Sequence, residues 1–341
     1  MKTYRYFRGR HFISLRDFNK EELEAILELG FYLKAKHALG EPHRFLEGKT
    51  LGMLFADDSL RHRVSFEAGI TQLGGHGQFL DPVKLHLVHS RETWEDTIRV
   101  MARYIDGLML RLSRIPPEVK DLSNYGAAHA AHEEICRYAS IPPVMPVISA
   151  YSDKEHPCQV MANVMTLIEK FGWHDFRKKK VAMVWGYSKL RFAPSCWNAM
   201  GIAAGTLGMN VTFASPKGLE WDPEYRKEAL RLGERSGAKL EFADSIEKAV
   251  KGADVIYVEP QSAIGKTLEE SERMRSELTH WQVRMEHFKM ANPGAYFMHD
   301  MPIRREEEVT SEVANGPMSI IYDTAENSLH VQKAIMVLTM S

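Results

Sequence analysis

Short apolar runs alternate with helix-patterned stretches along the whole chain, and this alternation restricts the fold more than any other feature of the sequence. Leu51-Gly52-Met53-Leu54-Phe55, Gly107-Leu108-Met109-Leu110 and Pro146-Val147-Ile148 read as buried parallel strands in the first half. Residues 180–185, 210–214, 238–242, 254–258 and 295–298 repeat the pattern in the second. Helical segments separate them: one opening on Asn19, with Glu22 placed for a capping box, then 66–73, 93–104, 194–207, 222–236, 246–250 and 328–340. Strands alternating with helices in both halves predict two doubly wound α/β domains with parallel sheets. The length of 341 residues also exceeds what one core usually serves. A first domain is expected over 1–150, joined by the C-terminal helix 327–341, and a second over 151–326.

The most informative stretch runs from Asp58 through Ser59-Leu60-Arg61-His62-Arg63 to Glu67. It reads as a polar turn between the strand at 51–55 and a helix over 66–73 closed by Gly74-Gly75. Free backbone N–H groups and the positive end of a helix dipole converge at such a turn, so it makes an anion cradle. Arg61 and Arg63 add guanidinium donors suited to phosphate, the alternative being a solvated basic turn. Arg111 ends the strand at 107–110, where open α/β sheets place their ligands, although a surface arginine would read the same way.

Other classes of function are disfavoured. A net charge of −1 gives no basis for nucleic acid or an anionic membrane as the main partner. No apolar run reaches membrane-spanning length, and the first residues lack the apolar core of a signal peptide. Cys136, Cys158 and Cys196 are odd in number and far apart, which fits a reducing, cytoplasmic setting and offers no paired metal spacing. No Gly-x-Gly-x-x-Gly follows the first strand of either half, and no Walker loop or Gly-x-Ser-x-Gly elbow occurs. The histidines, His129 and His132 included, lack a third ligand at a sensible spacing. No cofactor and no metal are therefore expected.

Three further segments carry a resemblance. His156-Pro157-Cys158-Gln159 opens a helix, His299-Asp300-Met301-Pro302 follows the last strand, and Ala325-Glu326-Asn327 opens the last helix. With Ser59 to Glu67, with Arg91-Glu92-Thr93 and Asp96-Thr97, and with Arg111, they make the chain resemble the aspartate/ornithine carbamoyltransferase family over nearly its whole length. The resemblance implies carbamoyl transfer from carbamoyl phosphate to an amine, with the first domain holding the donor and the second the acceptor. It implies Arg111, His156 and Gln159 as catalytic residues. Ser59, Leu60, Arg61, His62, Arg111, His299, Asp300 and Met301 would hold the donor. Trp185, Tyr187, Glu259, Met301 and Pro302 would hold the acceptor. It further implies a homotrimer in which a neighbour's loop, carrying His86, His89 and Arg91, reaches each site.

Within the family, the segment from Trp185 to Gly208, with Tyr187 and Pro194, and the run Leu329 to Met336 are similar to the acetylornithine and succinylornithine branch. That similarity implies a knotted second domain. Four positions depart from the family pattern. His62 replaces a threonine of the phosphate signature, Asp300 the cysteine of His-Cys-Leu-Pro, Ser328 an arginine common in ornithine enzymes, and Glu308 a lysine of the acetylornithine branch. Glu259 stands where that branch has lysine and ornithine enzymes have aspartate, so an acceptor with a cationic group is expected. The donor-site changes keep two alternatives open, an altered donor or reaction and a silent relative that acts as a binding subunit. A specialised pathway fits the departures from the usual pattern.

Overall fold

The structure is a computed structural model that describes residues 7–81, 92–113, 122–189 and 193–341. The chain divides into two compact units. The first comprises Met1–Val119, Gly126–Met165 and Glu326–Ser341, and the second Lys120–Tyr125 and Thr166–Ala325. The sequence places the division at 150; in the structure the chain stays with the first unit to Met165.

In chain order the first unit holds α1 (Lys20–Ala38), β1 (Thr50–Phe55), α2 (Leu60–Gln72), β2 (His76–Leu80), α3 (Trp94–Met101), β3 (Gly107–Arg111), α4 (Ala127–Ala139), β4 (Val147–Tyr151) and the start of α5 (Pro157–Phe171). Its four strands are all parallel, in the order β2-β1-β3-β4. The chain passes from β1 to β2 on one side and then crosses to β3 on the other, so the ends of β1 and β3 flank a topological switch point. Pairing aligns Phe55 with Arg111, and Ala56 N–H donates to the Arg111 carbonyl at 2.9 Å. Leu54, Leu108, Leu110 and Val147 from the strands pack with Ile98 of α3 and Ile135 of α4 in one apolar cluster. At the edge, β2 is largely exposed, which explains why its sequence, His-Gly-Gln-Phe-Leu, is the least apolar of the four.

The second unit holds β5 (Lys180–Val184), α6 (Ser195–Leu207), β6 (Asn210–Ala214), α7 (Pro223–Ser236), β7 (Lys239–Ala243), α8 (Ile246–Val250), β8 (Val255–Val258), α9 (Leu268–Ser276), α10 (Met285–Phe288), β9 (Tyr296–Met298), α11 (Ser311–Ala314) and the start of α12 (Ile321–Met340). Its strands are parallel in the order β7-β6-β5-β8-β9, with the switch point between β5 and β8. There Glu259 N–H donates to the Val184 carbonyl at 3.1 Å, so Glu259 begins where the β5 strand ends.

Two helix starts differ from the sequence expectation. The helix expected over 66–73 begins at Leu60, because Ser59 caps it by accepting from the His62 N–H, and the basic residues 61–63 form its first turn. An apolar stripe could not reveal this start, since the first turn points charged groups at solvent. The last helix begins at Ile321 and not at 328. Asn327, expected at the opening of the helix, is instead a fully buried interior residue that accepts from Lys34 Nζ at 2.9 Å. Residues 268–276, 285–288 and 311–314, left without an assignment in the sequence, are helical.

Helix α6 is buried at all thirteen positions, which its small residues permit. A Cβ built on Gly205 would lie 2.5 Å from the Ala229 carbonyl oxygen of α7. Alanine is worth about 1 kcal/mol more than glycine in a helix, but a backbone overlap of this kind costs about 1–3 kcal/mol. Gly205→Ala is therefore expected to lower stability despite its better helix propensity, measured as a lower urea midpoint at unchanged slope.

Candidate active site

At the C-terminal edge of the first sheet, parallel pairing brings the turn after β1 beside the ends of β3 and β4. Asp57 holds the turn against β3, its Oδ2 accepting from the Ser113 N–H at 2.8 Å and from the Ser113 hydroxyl at 2.7 Å. The register shifts between Leu110 and Arg111, so that Arg111 pairs with Tyr151. The Arg111 guanidinium then lies 4.8 Å from the centre of the Tyr151 ring, within cation–π range.

His62, in the first turn of α2, turns inward and is buried. Its Nδ1 accepts from Arg111 Nη1 at 2.9 Å and lies 3.2 Å from the Ser59 hydroxyl. Its ring is 4.9 Å from that of His156, which is in turn 4.9 Å edge-on from Tyr151. Burial, then Arg111, His156 and Arg61, hold the His62 pKa well below the ordinary histidine range. Burial, Arg111 and Arg61 do the same to His156. Both rings are therefore neutral beside two guanidiniums. His156 Nδ1 is buried and has no hydrogen-bond partner among the described residues. Gln159, one turn into α5, is also buried and donates to Asn163 at 3.0 Å.

The structure thus brings together Ser59, His62, Arg111 and His156 of the sequence-predicted set, with Arg61 near enough to act on both rings. Leu60 is 78% exposed, so only its backbone in the first helical turn can serve an anion. His86, His89 and Arg91 lie outside the described residues.

The second unit gathers a different chemistry at the ends of β8 and β9. The Tyr257 hydroxyl donates to Asp300 Oδ2 at 2.5 Å, and the Cys196 thiol lies near the same carboxylate. Ligating atoms of Cys196, Glu259 and Asp300 all lie within 4.8 Å of one another, and Glu259 is buried like its neighbours. Burial, Glu259 and Asp300 push the Cys196 thiol well above its ordinary value. Burial and Asp300 do the same to Tyr257. Carboxylates this close repel one another when both are charged.

The other acceptor-side residues frame this cluster unevenly. Trp185 Nε1 donates to the Gln261 carbonyl at 2.9 Å, its ring edge-on to Trp281, and is fully buried. Tyr187 is partly exposed and its N–H donates to the Trp281 carbonyl. His299 Nδ1 accepts from the Met301 N–H at 2.8 Å, which places the ring proton on Nε2, 3.4 Å from Glu308 Oε1. The His299 and Glu308 pair is buried and shapes the turn from inside, where a donor-contacting role was expected for His299. Met301 adopts a positive φ of 57°, and Pro302 is exposed. Sequence reasoning missed Tyr151, Cys196 and Tyr257. Tyr257 alternates with inward apolar residues in β8 and looked like core, and Cys196 sat among small helix residues with no ligand spacing around it.

Comparison with known proteins follows the division of the chain. Residues 10–169 match the carbamoyl-P binding domain of aspartate/ornithine carbamoyltransferase, and residues 177–339 match its Asp/Orn binding domain. An ornithine carbamoyltransferase from Thermococcus kodakarensis is 40% identical over 332 residues, covering 97% of this chain and 96% of the relative. The structure of the Pyrococcus furiosus ornithine carbamoyltransferase aligns with a TM-score of 0.84 at 37% identity, over 98% of each chain. An acetylornithine transcarbamylase complexed with acetylcitrulline aligns with a TM-score of 0.85 at 30% identity, over 97% of this chain and 99% of that one. Of these three, the two ornithine enzymes share more of the sequence, while the two solved structures fit equally well.

The three cysteines are buried, and burial raises the thiol pKa at each of them. The thiolate is the reactive form. Native protein at pH 8 is therefore expected to resist iodoacetamide at Cys136, Cys158 and Cys196 alike, with all three modified after unfolding, as read by intact mass.

Proposed function

Since the chain belongs to the aspartate/ornithine carbamoyltransferase family and is a carbamoyltransferase, we propose that it moves the carbamoyl group of carbamoyl phosphate to an amine of an ornithine-like acceptor. The observation that carries the donor assignment is the meeting of Ser59, His62, Arg111 and His156 at the end of β1 and β3. The first-turn N–H groups of α2 and Arg61 hold the phosphate oxygens. Arg111 and His156 stabilise the carbonyl oxygen as it gains negative charge, and Gln159 orients the carbamoyl amide. The neutral amine attacks the carbonyl carbon. The new C–N bond forms, the C–O bond to phosphorus breaks with its electron pair leaving on phosphate, and the phosphate takes the amine's proton. The residues need only position and polarise, which requires no dedicated base.

Acceptor choice is assigned to the second unit. Glu259 and Asp300 are buried within reach of one another, and an ammonium group relieves their repulsion. An acceptor with two amino groups meets this demand, one neutral and reacting, the other charged and held. Asp300, expected on the donor side, is placed by this reading with the acceptor. Trp185, Tyr187, Met301 and Pro302 surround the same strand ends and are assigned to the acceptor's apolar chain. A free diamino acid fits better than an acylated one, whose nitrogen carries no charge.

Calorimetry tests the donor. Carbamoyl phosphate is expected to bind more tightly than inorganic phosphate or sulfate, with the difference lost in Arg61→Ala. For the acceptor, Glu259→Gln is expected to raise the KM for ornithine at least about tenfold, equivalent to about 1.4 kcal/mol, and to leave carbamoyl phosphate binding unchanged. Preferential use of N-acetylornithine by the wild type would contradict the charge argument. A changed donor is the second reading, favoured by His62 in place of threonine. It becomes the reading to pursue if carbamoyl phosphate binds no better than phosphate.

A homotrimer in a cytoplasmic setting belongs to the same proposal. Leu60, Val64, Phe79, Val100 and Tyr104 leave apolar surface of the first unit exposed, as an interface between copies requires, and the three cysteines are free. Sedimentation equilibrium is expected to give three times the 39.0 kDa chain mass. Aspartate substitution at Tyr104 together with Val64 is expected to lower that mass.

A further inference from the structure

We propose that His62 is a positioning residue for Arg111, its Nδ1 lone pair fixing the orientation of the guanidinium. The inference rests on the donor assignment above and concerns a residue that stands where the family pattern has threonine. Arg111 is always a donor, so its 2.9 Å contact to Nδ1 requires that nitrogen to be unprotonated. The Ser59 hydroxyl, 3.2 Å from the same atom, can add a second donor to the same lone pair. The ring proton is thereby assigned to Nε2, and the tautomer follows from the contacts around it.

Arg111 is gripped on two sides. His62 holds Nη1, and the Tyr151 ring lies 4.8 Å from the guanidinium carbon. A long side chain that would otherwise lose rotamer freedom on meeting its ligand is ordered in advance, which is where positioning contributes to rate. A threonine hydroxyl could also accept, but from a shorter side chain, whereas the imidazole reaches from the first turn of α2 to the end of β3. Being buried beside His156, the ring also presents its edge inside the site and not to solvent.

The arrangement carries a pH signature. Among the described residues, the charged or titratable groups that face His62 are Arg61 on its own helix, Arg111 from β3 and His156 ahead of α5, with Tyr151 of β4 behind His156. The three that act on His62 directly all disfavour a second proton on the ring. If the ring is nevertheless protonated, Nδ1 becomes a donor facing a donor, and a positive ring faces a guanidinium. Because the folded pKa is depressed, the hold on Arg111 is complete at neutral pH and is lost as pH falls through that depressed value.

The test compares His62→Ala with His62→Asn, using carbamoyl phosphate and ornithine as the probes. Asparagine keeps an acceptor and a donor but cannot titrate. His62→Ala is expected to lower kcat about tenfold or more with a smaller change in the KM for carbamoyl phosphate. His62→Asn is expected to recover most of the loss and to remove one ionisation from the acid limb of the kcat/KM profile. Equal behaviour of the two variants, or an acid limb unchanged in His62→Asn, overturns the proposal. Nitrogen NMR of histidine-labelled native protein reads the tautomer directly. The Nε2–H form supports the proposal and the Nδ1–H form overturns it. The tautomer does not depend on the substrate, so a wild type that ignores carbamoyl phosphate counts against the donor assignment while the NMR result still decides the role of His62.

Discussion

The parallel pairing of β1 with β3 is the constraint on which the first-unit site depends. It sets Phe55 level with Arg111 and ties the turn after β1 to the end of β3 through the Ala56 N–H. A slip of one residue would turn Arg111 to the opposite face of the sheet, away from His62. The neighbouring ladder does not run evenly. Leu110 pairs with Ser149 and Arg111 with Tyr151, so one residue of β4 is passed over at the point where the guanidinium must meet an aromatic ring. Such an irregularity re-aims a side chain at the end of a strand without disturbing the buried part of the sheet.

The two units solve opposite electrostatic problems. In the first, two arginines crowd a buried site, and the histidines between them remain neutral because a further positive charge would be both desolvated and repelled. The site keeps cationic character for an anion without accumulating charge that nothing balances. In the second unit, carboxylates crowd the strand ends. The Tyr257 hydroxyl donates to Asp300, and burial together with these negative surroundings keeps the tyrosine and the Cys196 thiol protonated. The first unit therefore concentrates cationic donors around neutral rings, and the second concentrates carboxylates around a protonated phenol and thiol.

Much of the fold was legible because its central strands, buried on both faces, read as unbroken apolar runs such as Leu51 to Phe55. The anion loop was legible because serine, arginine and a following apolar helix make a recognisable chemical sequence. What escaped reading has physical causes. The start of α2 is set by one side-chain bond from Ser59, which no periodicity reveals. Asn327 reads as part of the opening of the last helix, but it lies inside that helix and is held by Lys34, a partner far away along the chain. The acidic cluster joins Cys196 of α6, Tyr257 and Glu259 at the end of β8, and Asp300 after β9, and only the strand order, with β8 between β5 and β9, makes them neighbours.

The substitution at Asp300 shows how a departure from a family pattern can be absorbed. An aspartate placed without partners where the pattern has a cysteine would bury an uncompensated charge, at a cost of several kcal/mol. Here a thiol, Cys196, is supplied near the carboxylate from the start of α6, and Tyr257 hydrogen-bonds the carboxylate from β8. These neighbours reduce the penalty of burying a charged carboxylate near a second one at Glu259. A cluster needed only for packing would gain by losing that charge, since apolar groups of similar volume are as stable or more so. Stability therefore does not account for placing Asp300 beside Glu259, and the acceptor role proposed for the second unit supplies a reason for the pair.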